Sequence, residues 1–203
     1  MTYQLHRGDL PDGIGFGGAV AVDTEAMGLN PHRDRLCLVQ LSGGDGNAHL
    51  VQLAAGCYSA PNLKRLFADP SVLKLFHFAR FDIAIIRRYL GVMPTPLYCT
   101  KIASRLARTF TDRHGLRDLC KDLLGVDLKK EQQSSDWGAA ALSEEQLRYA
   151  ASDVLHLHAL RARLDDMLVR EGRGELAQRC FEFLPARALL DLGGWAEQDI
   201  FAH

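Results

Sequence analysis

Asp23 and Glu25 stand two residues apart at the end of the apolar run Ala19-Val20-Ala21-Val22. Asp82 follows a second apolar run, Val72 to Phe78, and Tyr149 and Asp153 lie four apart behind Ser143-Glu144-Glu145-Gln146. Positions i and i+2 of a strand share a face, so Asp23 and Glu25 project together. Positions i and i+4 of a helix stack, so Tyr149 and Asp153 do the same. Four carboxylates brought to one sheet rim would repel. At an effective dielectric near 20 and about 5 Å, each like-charge pair costs roughly 3 kcal/mol. Two Mg²⁺ or Mn²⁺ ions would neutralise the cluster, because all-oxygen ligation suits hard cations that keep waters and bind substrate phosphates. Two such ions roughly 3.5–4 Å apart clamp the attacking and leaving oxygens of a phosphodiester. From spacing alone, acids scattered over the surface remain the competing reading.

Other motifs carry less. Gly13, Gly15 and Gly18 match G-x-G-x-x-G, but a dinucleotide fingerprint follows a strand and opens a helix, whereas these glycines precede a strand. They read as a turn. His156 and His158 are two apart in a stretch of helical spacing and so point away from each other rather than toward one ion. The five cysteines, Cys37, Cys57, Cys99, Cys120 and Cys180, are odd in number with no C-x-x-C, which suggests free thiols and no zinc knuckle.

The elements that must position the acids follow from periodicity. Ala19 to Val22, Leu36 to Leu41 and Ala48 to Val51 are short apolar runs separated by turn residues, which predicts three strands in an antiparallel meander. A helix near Asn62 to Ala68, a strand from Val72 to Phe78 and a helix from Phe81 to Leu90 follow, in the order βββαβα. From about Thr100 the spacing is helical, with breaks near Gly115, near Gly125 and through Lys129 to Gly138. The S-x-x-Q box at Ser143 predicts one long helix to about Arg170, burying Leu147, Ala150, Val154, Leu157, Leu160, Leu164 and Met167. The fold class is α/β, a mixed sheet flanked by helices in a single domain over 1–203. Its motif-bearing core covers about 19–170 and a helical extension about 171–203.

The chain carries 24 Lys+Arg against 25 Asp+Glu, a net charge of −1, with 47% hydrophobic residues. That excludes a disordered tail and a strongly basic nucleic-acid coat. The N-terminus shows no signal-peptide pattern and no apolar run approaches a membrane span, so a cytoplasmic enzyme is expected. The charge is uneven. Lys74 to Arg117 holds Lys74, Arg80, Arg87, Arg88, Lys101, Arg105, Arg108, Arg113 and Arg117 against Asp82 and Asp112, a solvated face or a local seat for a polyanion.

Asp23-x-Glu25, Asp82 in HFARFDIAII and Tyr149-x-x-x-Asp153 in SEEQLRYAASDV resemble, in order and context, the three exonuclease motifs of the DEDD superfamily. The run from Leu124 to Leu160 and RLCLVQL after the first motif are similar to the ribonuclease D branch. The sister branch places a histidine five residues before the last aspartate, where this chain has Arg148, so the tyrosine branch is indicated. The DTEAMGL opening and the tail FEFLPARALLDLGGW, with few residues after the long helix, resemble the nano-RNase C group.

The resemblance implies a ribonuclease H-like fold and a 3′–5′ exoribonuclease acting on short RNA, dinucleotides included. It also implies a homo-oligomeric ring, an octamer in that group. It assigns Asp23, Glu25 and Asp153 to one metal and Asp23 and Asp82 to a second, with Tyr149 orienting the attacking water. Thr24, Leu29, His77, Phe78, Lys129, Lys130, Gln133 and Trp137 are candidate substrate contacts; Leu29, Phe78 and Trp137 also suit plain packing. Trp195 and Phe201 would cover the domain or a subunit interface. Two other readings are a ribonuclease D-like activity on tRNA 3′ ends or DNA, and an inactive nucleic-acid-binding module on the same fold.

Overall fold

The computed structural model describes residues 2–128 and 135–203. Among these, one sheet of six strands carries seven α-helices. The strands are β1 (Thr2–Arg7), β2 (Ala19–Ala26), β3 (Leu36–Ser42), β4 (Asn47–Gln52), β5 (Leu73–Phe76) and β6 (Leu97–Cys99). They lie in the order β1-β4-β3-β2-β5-β6. The pairs β2·β3 and β3·β4 are antiparallel, the expected meander, while β5 pairs with β2 and β6 with β5 in parallel. Every residue of β3 is buried, as its nearly unbroken apolar sequence requires of a strand covered on both faces.

β1 is not among the expected strands, because only two apolar residues carry its alternation. Its half-buried Tyr3 and Leu5 alternate with polar residues, and it is held as an edge strand by parallel pairing with β4, from Thr2 opposite Asn47 to Arg7 opposite Gln52. That partner lies some forty residues away, outside any local pattern. The segment from Gly13 to Gly18 is the turn ahead of β2, with Gly13 and Gly17 at positive φ.

The helices are α1 (Pro61–Ala68), α2 (Ala79–Leu90), α3 (Thr100–Ala107), α4 (Leu116–Leu119), α5 (Glu144–Leu155), α6 (Leu157–Arg170) and α7 (Gly174–Leu190). Cys120–Leu124 and Asp191–Trp195 are π-helical turns. The capping box forms: Ser143 Oγ accepts from the Gln146 N–H and Gln146 Oε1 accepts from the Ser143 N–H.

The single long helix expected from Ser143 to Arg170 is two. His156, at φ −105 and ψ −6, separates α5 from α6. The break lets each half meet a different surface: α5 packs on β2, β3 and β4, and α6 on α3 and β5. The buried stripe runs through both halves from Leu147 to Leu164, but Met167 is only partly buried and Leu168 takes the core position. His158 lies within α6 and its Nε2 is 3.1 Å from the Ser42 carbonyl. Cys37, Cys99 and Cys120 are buried free thiols.

Five of the nine basic residues of the stretch from Lys74 to Arg117 are engaged internally, while Lys101 has no carboxylate partner among the described residues. Lys74 is wholly buried and its ammonium donates to the carbonyls of Asp69 (2.5 Å) and Thr95 (2.7 Å). Arg108 pairs with Asp122, Arg113 with Asp118 and Asp122, and Arg117 with Asp127. Arg80 of α2 makes a bidentate bridge to Asp191, which Arg187 of α7 also grips. Arg80 further donates to the Ala196 carbonyl and Arg187 to the Trp195 carbonyl. This cluster fastens the segment after α7 onto the start of α2.

Candidate active site

The strand β2 ends in alternating Asp23, Thr24 and Glu25. The pleat sends the two acids to one face, where α5 presents Asp153. One oxygen each from Asp23, Glu25 and Asp153 lie within 4.8 Å of one another. On the opposite face Thr24 is buried, and its hydroxyl donates to Asp82 Oδ1 at 2.6 Å. Asp82, in the first turn of α2, is thereby held near Asp23 at the sheet rim. Thr24, a candidate substrate contact, lines the groove with its hydroxyl committed to this carboxylate. The amide of Gln40 on β3 donates to Asp23 Oδ2 at 3.3 Å, and β3 places it there because Asp23 and Gln40 are register partners.

None of the ion pairs among the described residues involves Asp23, Glu25, Asp82 or Asp153. Uncompensated, all four are pushed up in pKa. Burial raises Asp23 to about 7. Burial raises Glu25, with Asp23, Asp153 and Asp82 adding repulsion. Burial and Asp23 raise Asp82, against the Thr24 hydrogen bond, and burial and Asp23 raise Asp153. Such a cluster of hard oxygen donors without a protein counter-charge fits a divalent cation. Asp23, Glu25 and Asp153 could hold one, and Asp82 lies outside that trio.

Tyr149 sits one turn before Asp153 on α5, and its hydroxyl interacts with that carboxylate. Burial, then Asp153, Glu25 and Asp23, raise its pKa, so the phenol stays protonated. Trp137, read as either a base-stacking or a packing residue, is 2% exposed and packs its ring against Tyr149 at a centroid distance of 6.1 Å. Burial leaves it no free face, and it supports the tyrosine.

The carboxylates line a groove of about 1240 Å³. Leu29 is 86% and Phe78 49% exposed in its wall, so neither is a core residue. Phe78 caps α2 in a left-handed conformation, φ 66, and the Lys101 ammonium lies 3.9 Å from its ring centroid. His77 faces the same groove. Lys129, Lys130 and Gln133 lie outside the described residues.

Several lining residues escape sequence reasoning. Lys101, in the first turn of α3, is marked in the sequence only as one member of the basic stretch, with nothing in its local pattern to separate it from a solvated lysine. Asp191, Gly194, Ala196 and Glu197 line the groove from the far end of the chain, where the packing of α7 on α2 and the Arg80 bonds to Asp191 and the Ala196 carbonyl hold them. Trp195 and Phe201 are largely exposed, Phe201 with its ring 5.9 Å from that of Phe183.

Residues 12–169 match the 3′–5′ exonuclease family of the DNA polymerase A type. The chain is 41% identical over 154 residues to ribonuclease D of Gluconacetobacter diazotrophicus, an alignment covering 76% of this chain and 39% of that protein. It thus spans about two fifths of the length of the curated relatives it matches. The structure of Brucella melitensis NrnC with bound Mg²⁺ superimposes with a TM-score of 0.96 at 56% identity, covering 100% of both chains. That of Brucella melitensis NrnC bound to pGG does so with a TM-score of 0.97 at 57% identity, covering 100% of this chain and 99% of that one.

Proposed function

The chain belongs to the 3′–5′ exonuclease family, and on that footing we propose that it is a metal-dependent exoribonuclease that degrades short RNA, dinucleotides included, to nucleoside 5′-monophosphates. The observation that carries this reading is the trio Asp23, Glu25 and Asp153, with oxygens within 4.8 Å, set with Tyr149 in the wall of an open groove. The Mg²⁺ and pGG seen on NrnC support the cofactor and the substrate length.

In this mechanism Asp23, Glu25 and Asp153 would hold one cation, Mg²⁺ or Mn²⁺, and Asp23 with Asp82 would hold a second. When bound, two such ions supply a lowered pKa for the attacking water and charge compensation at the phosphoryl oxygens. Tyr149, protonated and steered by Asp153, accepts a hydrogen bond from that water and aims its lone pair at the phosphorus of the last phosphodiester, from which the 3′-oxygen of the preceding nucleotide departs. Thr24 and Gln40 hold Asp82 and Asp23 against rotation. Leu29 and Phe78 offer apolar surface to the bases, while Lys101, which has no carboxylate partner among the described residues, offers charge to a phosphate. Lys129 and Gln133 remain proposed contacts.

The exposed Leu176, Phe183, Leu189, Trp195, Ile200 and Phe201 of α7 and the tail support assembly of identical subunits, a ring of eight in this proposal. No helix among the described residues is long and apolar enough to cross a membrane, and a cytoplasmic location belongs to the same proposal. The likeness to ribonuclease D proteins supports a second reading, a ribonuclease D-like exonuclease on tRNA 3′ ends or DNA.

The test is digestion of 5′-labelled RNA and DNA, from dinucleotide to 20-mer, with Mg²⁺ or with EDTA. Metal-dependent shortening from the 3′ end, with dinucleotides among the best substrates, is expected. No shortening in Mg²⁺ or Mn²⁺ overturns the enzyme reading in favour of a binding module. Persistence of dinucleotides while long RNA disappears overturns the short-substrate reading.

A further inference from the structure

His77 follows β5 and its imidazole bridges two environments. On the protein side Nδ1 lies 2.9 Å from Thr100 Oγ1, and the Thr100 hydroxyl is in turn 3.2 Å from the Phe76 carbonyl. Thr100 is fully buried, so its one proton has only these two destinations. If that proton goes to the carbonyl, its oxygen is free to accept from Nδ1–H and both hydrogen bonds form. If the proton goes to Nδ1, the Phe76 contact has no donor. The arrangement that satisfies both contacts fixes the proton on Nδ1 and leaves Nε2 with a bare lone pair. Nε2 has no hydrogen-bond partner among the described residues and is not a buried orphan, and His77 lines the groove beside the metal-binding acids. Burial, with the Lys101 charge, drives the imidazole pKa down to about 3, so the ring stays neutral at physiological pH.

A neutral acceptor in this position discriminates by chemistry. It has nothing to offer a phosphate, which has no proton to donate at neutral pH, and it does bond a hydroxyl. Resting on the exonuclease reading, we propose that His77 Nε2 accepts a hydrogen bond from the 2′-hydroxyl of the 3′-terminal ribose, making His77 a specificity residue that favours RNA over DNA. The scissile phosphodiester must reach Asp23, Glu25 and Asp153, which brings the terminal sugar into the groove that His77 lines. The 2′-hydroxyl is the group by which a protein tells RNA from DNA at a given site.

The experiment compares kcat/KM on a diribonucleotide and on the same dinucleotide with a 2′-deoxy terminal sugar, in Mg²⁺. One neutral hydrogen bond predicts a preference for the ribose form of roughly tenfold. In His77→Phe that ratio falls to about one through loss on the ribose substrate. His77→Gln, which restores an acceptor, recovers part of it. Thr100→Val removes the acceptor that fixes the tautomer and lowers the ratio while keeping the ring. Because the ratio does not depend on how much enzyme is folded, partial misfolding of a variant does not blur the result. A wild-type ratio near one, or a ratio unchanged in His77→Phe, overturns the proposal. Failure of the wild-type protein to cut either dinucleotide overturns the short-substrate reading on which the proposal rests, and cleavage of longer RNA in the same preparation shows that the exonuclease itself is intact.

Discussion

Replacing Asp153 by Asn should stabilise the metal-free protein while destroying its function. The carboxylates of Asp23, Glu25 and Asp153 approach within 4.8 Å with no cationic side chain paired to them among the described residues. At an effective dielectric near 20, each pair at that distance costs about 3 kcal/mol when both members are ionised. Proton uptake relieves part of this, since burial holds the Asp23 pKa up at about 7 and the others above their ordinary range. The sign follows from linkage: a carboxyl with a raised folded pKa contributes stability that is fully present below its unfolded value. That stability is lost as pH rises through the folded one.

The wild-type apoprotein should therefore lose stability between about pH 4 and pH 8. Asp153→Asn, which keeps the shape and deletes the charge, should lose less. At pH 8.5 we expect the variant to be more stable by about 2–3 kcal/mol, a gain in melting temperature of roughly 4–10 °C for a domain of this size. At pH 5 the difference should nearly vanish. The assay is thermal unfolding in EDTA across that pH range, repeated with Mg²⁺. Wild type should gain stability from the metal, increasingly so as pH rises, and the variant should gain little and show no turnover. A variant that is folded but no more stable than wild type in EDTA at pH 8.5 would refute the picture of a strained acidic trio awaiting a cation.

Tyr149→Phe should retain its fold by circular dichroism and Mg²⁺-induced stabilisation, yet lose on the order of 10²-fold in kcat; unchanged turnover would remove Tyr149 from the site. Thr24→Val strips Asp82 of its hydroxyl donor and should cost about 1–3 kcal/mol in urea unfolding at neutral pH. Asp191, which Arg80 and Arg187 hold below its ordinary pKa despite burial, binds the tail to α2. Asp191→Ala leaves two guanidinium groups without their counter-charge and should cost about 1–3 kcal/mol. It should also open the region after α7 to limited proteolysis; a tail as resistant as wild type would show that the bridge is not what fastens it.

The parts of this fold that follow from neighbours in sequence were legible. The meander of β2, β3 and β4 is marked by short apolar runs and turns, the start of α5 by its capping box, and the pairing of acids by i+2 and i+4 spacing. Leu29 and Phe78 could be named but not placed, because an apolar side chain after a motif reads equally as core or as groove wall until the backbone path is known. His156 shows the limit of periodicity. The apolar stripe continues through it while the helix does not, since the two halves answer to different packing partners.

What the sequence determined by itself was therefore the set of reactive groups and the local geometry that presents them. The tertiary structure decided which of those groups are free. Arg80 is spent on Asp191, 111 residues away, Thr24 on Asp82, and Lys74 on two carbonyls, whereas Lys101 and the Nε2 of His77 are left facing the groove. A hydrogen bond or ion pair acts over a few ångströms, and which residues come within that range is set by the packing of distant segments rather than by their order along the chain.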